Sequence, residues 1–232
     1  MKIEIWSDIA CPFCYIGKRH LEAALAKFPH TADVQVQWRS FELQPEARTT
    51  PERSLYEALA ESKGQTVAWA KQMTVGVADM AARAGLRFHF DQTVPANTFR
   101  AHRLIHLAAA HGRQDAMKER LLKAYFEEGR NVDDEATLTA LAAEVQLPAA
   151  EVAQLFTSDA YAQDVRHDEY QARQVGVRGV PFFVFEDKYA VSGAQPVEVF
   201  GEVLQKVWDE FRPQPTVVAG LDGAACDVDG NC

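Results

Sequence analysis

The chain has 232 residues, of which 47% are hydrophobic, and a formal net charge of −9. This length and apolar content allow a sizeable core in one domain, or in one domain with a large insertion. The acidic balance and the lack of a Lys/Arg cluster disfavour nucleic acid and anionic membranes as partners. No apolar stretch approaches the roughly 18 residues of a transmembrane helix. No signal peptide precedes the first strand pattern, so we expect a cytoplasmic protein, although a mature secreted form would have the same pattern.

The first forty residues have a β-α-β pattern. Alternating apolar and polar residues predict strands over 3–6 and 34–38. A helix is predicted between them, starting at Cys11 and stopped by Pro29. Four residues are spaced so that they share one face of this helix: Cys14, Leu21, Leu25 and Phe28. We therefore expect Cys14 to point into the core and Cys11 to lie at the exposed end of the helix.

The motif Cys11-Pro12-Phe13-Cys14 stands where the first strand gives way to the first helix. A helix N-terminus has unpaired N–H groups and a partial positive charge, which stabilise a thiolate. We therefore expect the pKa of Cys11 to lie below that of a free thiol, so that this residue attacks disulfides. Cys14 is then the resolving thiol, with a higher pKa because its helix face is apolar.

From residue 50 to residue 156 the pattern is helical. The first of these helices is predicted to start at Thr50-Pro51, with Thr50 as N-cap, and the second to span about 66–83. Further helices are predicted near 98–111, 114–128, 134–145, 148–156 and 159–175. The apolar run 182–185 and the segment 189–192 then predict a β-hairpin, followed by an amphipathic helix over 196–211.

The order β-α-β, then β-β-α, with CxxC at the first helix and a proline opening the third strand, is the thioredoxin arrangement. Three stretches add detail to it: residues 7–17 around the motif, Gly179-Val180-Pro181-Phe182-Phe183, and Val191-Ser192-Gly193-Ala194-Gln195. Together they resemble the DsbA-like thioredoxin superfamily, in particular the FrnE branch of cytoplasmic thiol-disulfide oxidoreductases. The resemblance covers nearly the whole chain and includes the helical stretch.

The resemblance implies an α/β, thioredoxin-like fold, in which a mixed β-sheet with flanking helices carries a large all-helical insertion. The thioredoxin-like domain would comprise residues 1–48 and 158–211, the insertion residues 49–157, and a C-terminal tail residues 212–232. A cis peptide bond at Val180-Pro181 is also implied. It would explain a proline at the head of an apolar strand, where proline cannot donate to the sheet ladder.

The implied activity is thiol-disulfide exchange on proteins, as oxidase, reductase or isomerase, without a cofactor and without a metal. The predicted catalytic residues are Cys11, Cys14 and Pro181. The Val180 backbone would bind an extended substrate segment, and Phe13 and Trp6 would line an apolar groove for unfolded polypeptide. The partners would be protein thiols and disulfides, with glutathione or a thioredoxin-type protein as reductant.

A second cysteine pair, Cys226 and Cys232, lies near the C-terminus. We hypothesise that it is a second redox pair that relays electrons to or from the first, the alternative being incidental thiols in a tail. A zinc site made of all four thiols is disfavoured, because structural zinc sites usually use two closely spaced pairs. Asp8 either tunes Cys11 electrostatically or forms a turn, and His102 is expected to be an ordinary packing or surface residue.

Three other functions stay open. Glutathione-dependent 2-hydroxychromene-2-carboxylate isomerases and kappa-class glutathione transferases share this fold, but a serine usually stands at the position of Cys11, so cysteines at both ends of the motif favour redox chemistry. A holdase-type chaperone would use the apolar groove and not need the thiols. A metal-stress protein would chelate metal through the four cysteines.

Overall fold

The structure, a computed structural model, describes residues 1–211. Its first three elements are strand β1 (Lys2–Ser7), helix α1 (Pro12–Leu25) and strand β2 (Gln35–Ser40). Six helices follow: α2 (Leu55–Lys63), α3 (Val67–Arg83), α4 (Phe99–Ala110), α5 (Gln114–Phe126), α6 (Glu135–Glu144) and α7 (Ala149–Phe156). The described part ends with α8 (Ala162–Val175), β3 (Phe182–Phe185), β4 (Tyr189–Ser192) and α9 (Val197–Phe211). None of the helices within residues 1–211 is long and apolar enough to cross a membrane.

The four strands form one mixed sheet in the order β2-β1-β3-β4. Strands β1 and β2 run parallel, whereas β3 is antiparallel to both β1 and β4. Alternation along β1 sends Ile3 and Ile5 into the main hydrophobic cluster and Trp6 into a smaller one. The thioredoxin-like fold with a mixed sheet, flanking helices and a helical insertion is therefore confirmed.

Helices cover both faces of this sheet. On one face the rings of Phe183 in β3 and Phe200 in α9 meet edge to face, with centroids 4.7 Å apart. On the other face α8 packs against Trp6, whose indole N–H donates to the carbonyl of Asp168 at 3.0 Å. The main cluster continues without a break from the sheet into the insertion, where Leu104 and Leu121 are fully buried. The insertion and the sheet thus share one core, which fixes the insertion helices relative to the first helix.

The hairpin strands have the predicted bounds, and α3 lies within one residue of its predicted span; Thr66 is its N-cap and accepts a hydrogen bond from the N–H of Trp69 at 3.1 Å. The start predicted for the preceding helix at Thr50-Pro51 is wrong. Helix α2 begins after Ser54, which forms a reciprocal capping box with Glu57. The capping box gives hydrogen-bond partners to two backbone N–H groups, those of Ser54 and Glu57, whereas a threonine followed by proline offers no such reciprocal pair.

Candidate active site

The Cys-Pro-Phe-Cys motif forms the first turn of α1. Cys11 is the N-cap, Pro12 is the first helical residue, and the N–H of Cys14 donates to the carbonyl of Cys11 at 3.0 Å. Both cysteines are free thiols in this structure. Cys14 is fully buried, as expected from its helix face, but the expectation that Cys11 is exposed is wrong, because only 4% of its surface meets solvent.

The cause of this burial is the segment before β3. The Cys11 thiol donates to the carbonyl oxygen of Val180, with Sγ and O 3.4 Å apart. The Val180-Pro181 peptide bond is cis. The Pro181 carbonyl accepts a hydrogen bond from the N–H of Gly193 at 2.8 Å, which ties the segment to the end of β4. The segment that sequence resemblance placed opposite the motif therefore covers Cys11 directly.

The two thiols have pKa values that differ in direction. A hydrogen bond with Cys14, together with burial, raises the pKa of Cys11 well above its usual range. Burial also acts to raise the pKa of Cys14, but the neighbouring Cys11 thiol and the charge of Lys118 outweigh it and leave that pKa lowered. Of the two thiols, Cys14 therefore loses a proton more readily than Cys11. This reverses the order expected from the helix N-terminus alone.

A buried pair, Asp8 and His102, lies beside the motif. Nε2 of His102 is 3.2 Å from Oδ1 of Asp8, and the N–H of Leu43 donates to Oδ2 of Asp8 at 2.8 Å. Burial alone would raise the pKa of Asp8, but the contacts with His102 and Leu43 lower it. The pKa of His102 is lowered by burial, against the opposing effect of Asp8. His102 is therefore no ordinary packing residue, since it holds the carboxylate whose charge raises the pKa of Cys11.

Lys118 of α5 is a site residue that sequence reasoning missed. It is 1% exposed, its Nζ donates to the Ser7 carbonyl at 3.2 Å, and burial lowers its pKa to about 8. A signal for it was present in the sequence. Lys118 is spaced three, four and seven residues before Leu121, Leu122 and Tyr125, so it belongs to the buried face of its helix.

A cavity of about 710 Å³ opens next to the motif. Cys11, Pro12 and Phe13 form one wall, the loop after β2 forms another, and α2 and α3 lie opposite. Its lining is mostly apolar, and three large apolar side chains of this lining are exposed to solvent: Phe13, Leu43 and Met73. The cavity is therefore suited to an apolar group brought next to Cys11.

The other predicted site residues fall in different places. Phe13 lines the cavity, and Val180 offers its backbone to Cys11. Trp6 does not line the cavity, and its assignment as a substrate contact is wrong: it is 2% exposed and packs against Ala172 in the smaller hydrophobic cluster. Cys226 and Cys232 lie outside the described residues. Among residues 1–211, no group of three or more His, Cys, Asp and Glu side chains is arranged to hold a metal ion.

Comparison with known proteins identifies the family. The sequence profile of the DSBA-like thioredoxin domain matches residues 2–205. The chain belongs to this family. The crystal structure of a probable DsbA oxidoreductase from Streptomyces coelicolor is 39% identical, with a TM-score of 0.85 over 100% of this chain and 98% of that one. The uncharacterized protein YwbO of Bacillus subtilis (strain 168) is 29% identical over 87% of this chain and 94% of its own length.

More distant DSBA-like structures share the fold alone. The cytosolic disulfide reductase DsbM of Pseudomonas aeruginosa is 18% identical, with a TM-score of 0.66 over 90% of this chain and 100% of that one, and a second structure contains it with GSH. A 2-hydroxychromene-2-carboxylate isomerase is 13% identical, with a TM-score of 0.67 over 90% of this chain and 97% of that one. Both redox and non-redox enzymes therefore use this DSBA-like architecture, and the site itself has to distinguish them.

Proposed function

We propose that this DSBA-like protein is a thiol-disulfide oxidoreductase that acts on protein disulfides through Cys11 and Cys14. One observation carries the proposal. The Cys11 sulfur lies between the Val180 carbonyl and the apolar cavity, whereas Cys14, three positions on in α1, is fully buried and does not line the cavity. A nucleophile open to one cavity, with a second thiol shielded from substrate, is the arrangement that a two-step exchange needs.

The reaction begins when the proton of the Cys11 thiol moves to Cys14, so that Cys11 becomes the thiolate. Cys11 Sγ then attacks one sulfur of the substrate disulfide, and the other substrate sulfur leaves as a thiolate and takes a proton from water. Cys14 Sγ next attacks Cys11 Sγ, and the second substrate sulfur leaves and takes the proton that Cys14 gives up. The substrate gains two electrons and two protons, and Cys11–Cys14 becomes a disulfide. The same steps in reverse oxidise a substrate dithiol.

Substrate binding would use the Val180 carbonyl and the exposed apolar side chains. Once Cys11 is a thiolate it no longer donates to Val180, so this carbonyl is free to accept an N–H from an extended substrate segment. Phe13, Leu43 and Met73 would contact the apolar side chains of that segment. Unfolded polypeptide presents such side chains, which favours it over a folded protein as substrate.

The electron partner would be glutathione or a thioredoxin-type reductant, and the location the cytoplasm, as in the FrnE branch that the sequence resembles. The DsbM structure with GSH supports glutathione as a candidate, since that protein shares the fold. A cytoplasmic disulfide reductase or isomerase would act during oxidative stress, when protein thiols are oxidised.

Reduction of insulin tests the proposal. With dithiothreitol as electron source and no glutathione, the wild-type protein should accelerate insulin precipitation, and Cys11→Ser should remove this acceleration and leave only the dithiothreitol background. Met73→Ser should lower the rate less, by roughly threefold, because it removes one apolar contact. Insulin reduction at the wild-type rate by Cys11→Ser would contradict the proposal.

The second candidate is a glutathione-dependent isomerase or transferase, favoured by one observation. The cavity beside Cys11 is large enough for a small molecule as well as for a peptide segment. This candidate predicts glutathione conjugation or isomerisation of a small electrophile that persists in Cys11→Ser, since serine usually stands there in those enzymes. Loss of all activity in Cys11→Ser, together with insulin reduction by the wild type, would exclude it.

A relay through Cys226 and Cys232 extends the proposal to the tail. The second pair would form its own disulfide by exchange with Cys11–Cys14, so that two electrons pass along the chain. Cys226→Ser should then slow reoxidation of Cys11 and Cys14 by glutathione disulfide several-fold, measured by quenched-flow alkylation and mass spectrometry. Unchanged kinetics in Cys226→Ser would remove the relay and leave the rest of the proposal intact.

A further inference from the structure

Tyr125 of α5 is a buried tyrosine whose ring is 2% exposed and meets the ring of Phe126 edge to face, with centroids 4.9 Å apart. The buried Tyr15 donates its hydroxyl to Glu119 at 2.7 Å, but the Tyr125 hydroxyl forms no hydrogen bond with residues 1–211. Its oxygen is also not among the unpartnered side-chain atoms of residues 1–211 that are shut off from solvent. Because Tyr125 lines the cavity beside the motif, the hydroxyl opens into that cavity.

The other buried groups of the cavity lining that can form hydrogen bonds are already occupied. They are Asp8, Cys11, Thr74 and Thr98. Cys11 and Thr74 donate to backbone carbonyls at 3.4 Å and 3.1 Å. Asp8 accepts from the N–H of Leu43 at 2.8 Å, and Thr98 lies beside Asp8 and helps to lower the pKa of that carboxyl. Tyr125 is therefore the buried polar group of this lining that remains for a ligand.

The chemistry of the hydroxyl group limits what it can bind. Burial and the charge of Asp8 raise the pKa of Tyr125, so the hydroxyl stays protonated at neutral pH and acts as a donor. A purely apolar occupant of the cavity would strip water from this donor and leave it unsatisfied, which is costly. A carboxylate would be repelled by Asp8, so a neutral acceptor fits better. Unfolded polypeptide carries such an acceptor at every residue, the amide carbonyl oxygen.

We propose that the Tyr125 hydroxyl binds substrate by donating a hydrogen bond to an amide carbonyl of the polypeptide segment in the cavity. The inference rests on the proposed function and deepens it, because it concerns the substrate of the same two thiols. The exposed Phe13, Leu43 and Met73 contact apolar side chains of the segment, and Tyr125 contacts its backbone. The helical insertion thereby distinguishes a peptide from an apolar molecule of similar size.

Tyr125→Phe removes the hydroxyl oxygen and keeps the ring. Since no hydrogen bond within residues 1–211 is lost, the midpoint of urea unfolding should be unchanged or higher. Tyr15→Phe is the matched variant, a buried tyrosine whose hydroxyl does have a partner, and it should lower the midpoint. An equal fall of the midpoint in both variants would give the Tyr125 hydroxyl a structural partner and overturn the proposal.

Peptide binding tests the contact itself. The probe is a short, cysteine-free peptide rich in Leu, Phe and Ser, labelled with fluorescein, and Tyr125→Phe should bind it about three- to tenfold more weakly than the wild type. N-phenyl-1-naphthylamine, an apolar dye without a carbonyl group, should bind Tyr125→Phe no more weakly than the wild type. Tyr56→Phe in α2, outside the cavity lining, is the control and should keep the wild-type affinity for both probes.

Three outcomes of these titrations would overturn the proposal: equal peptide affinity of Tyr125→Phe and the wild type, a parallel weakening of peptide and dye binding, or no peptide binding at all. Reduction of a peptide disulfide then links binding to catalysis. In Tyr125→Phe the KM should rise by about the same three- to tenfold, with kcat unchanged. A change confined to kcat would equally overturn the proposal. The two titrations involve no substrate thiol or disulfide, so a failure of the insulin assay and a failure of this inference are separate results.

Discussion

The ring of Pro181 packs directly on Gly17 of α1. A Cβ atom at position 17 would lie 3.0 Å from Cγ of Pro181 and 3.2 Å from Cζ of Phe183, closer than side chains normally approach. The glycine therefore lets the helix that carries both cysteines lie against the segment that covers Cys11. Gly17 lies three positions after Cys14, less than one helical turn away, so a displacement of α1 at Gly17 also moves the motif.

Gly17→Val should disturb this contact. The added carbons force the Pro181 segment away from α1, and we expect a loss of about 1–3 kcal/mol in the free energy of unfolding. Insulin reduction should fall at least several-fold, because Val180 no longer faces Cys11 at its present distance. Urea denaturation and the insulin assay measure the two effects.

Gly76→Val is the matched control for this substitution. Gly76 lies in the middle of α3, where nothing approaches the place of a Cβ atom within 4 Å. Its replacement should change the stability by no more than about 0.5 kcal/mol. If the two substitutions changed stability and insulin reduction equally, the close approach of Pro181 to Gly17 would not be needed for either.

Acid should destabilise the protein through His102. Because burial lowers the pKa of His102 in the folded protein, the unfolded chain binds a proton there first. Stability is therefore lost as the pH falls below about 6.5, the ordinary histidine value, with a slope of up to about 1.4 kcal/mol per pH unit. The lowered pKa of Asp8 adds a further loss, which begins only below about pH 4.

His102→Gln keeps a donor for Asp8 and removes the titrating ring. Urea unfolding at several pH values between about 5 and 7.5 should show a shallower slope for this variant than for the wild type. Leu104→Val, a fully buried position of the same helix, destabilises the protein without removing a titrating group and should keep the wild-type slope. A wild-type slope in His102→Gln would show that this residue does not account for the acid sensitivity.

Glu42 should have the opposite pH dependence. Its side chain is fully buried, and burial raises its pKa to about 7 although Nη1 of Arg166 lies 2.5 Å from its carboxylate. The folded protein therefore keeps a proton that the unfolded chain releases, and stability is lost as the pH rises from about 4.5 to about 7.

Glu42→Gln removes the group that must ionise. The stability of this variant relative to the wild type should be higher at about pH 8 than at about pH 5, by roughly 1 kcal/mol. This is well below the free energy that corresponds to the full pKa shift, because the side of Glu42 that faces Arg166 is open to solvent. Glu46→Gln, an exposed position of the same loop, is the control and should give the same difference as the wild type. If the stability of Glu42→Gln relative to the wild type were lower at about pH 8 than at about pH 5, the raised pKa of Glu42 would be contradicted.

Local patterns were enough to predict the strands and most helices. The apolar run Phe182–Phe185 and the alternation in the first two strands are patterns of only a few neighbouring residues, and such patterns can be seen in a single sequence. The start of α2 was predicted wrongly because two local signals compete, and the capping box at Ser54 is stronger than Thr50-Pro51.

The buried polar groups of the site could not be predicted in the same way. Asp8 and His102 are 94 positions apart, and Lys118 meets the Ser7 carbonyl from 111 positions away. The roles of these three residues depend on which elements the fold brings together. The pKa values of the two thiols depend in turn on these residues. The helix N-terminus predicted a low pKa for Cys11, but the interaction with Cys14 and the burial of the thiol raise that pKa instead.

Trapping of the mixed disulfide tests the central claim most directly. Cys14→Ala cannot resolve the complex, so incubation with an unfolded protein that contains disulfides should give an adduct joined through Cys11, identified by non-reducing electrophoresis and peptide mass spectrometry. The experiment is done with Cys226 and Cys232 both replaced by serine, so that no tail thiol can react. Cys11→Ala in the same background should give at least about tenfold less adduct, because Cys14 is shielded from substrate. Adduct formation through Cys14 at a similar rate, or no adduct in either variant, would contradict the account.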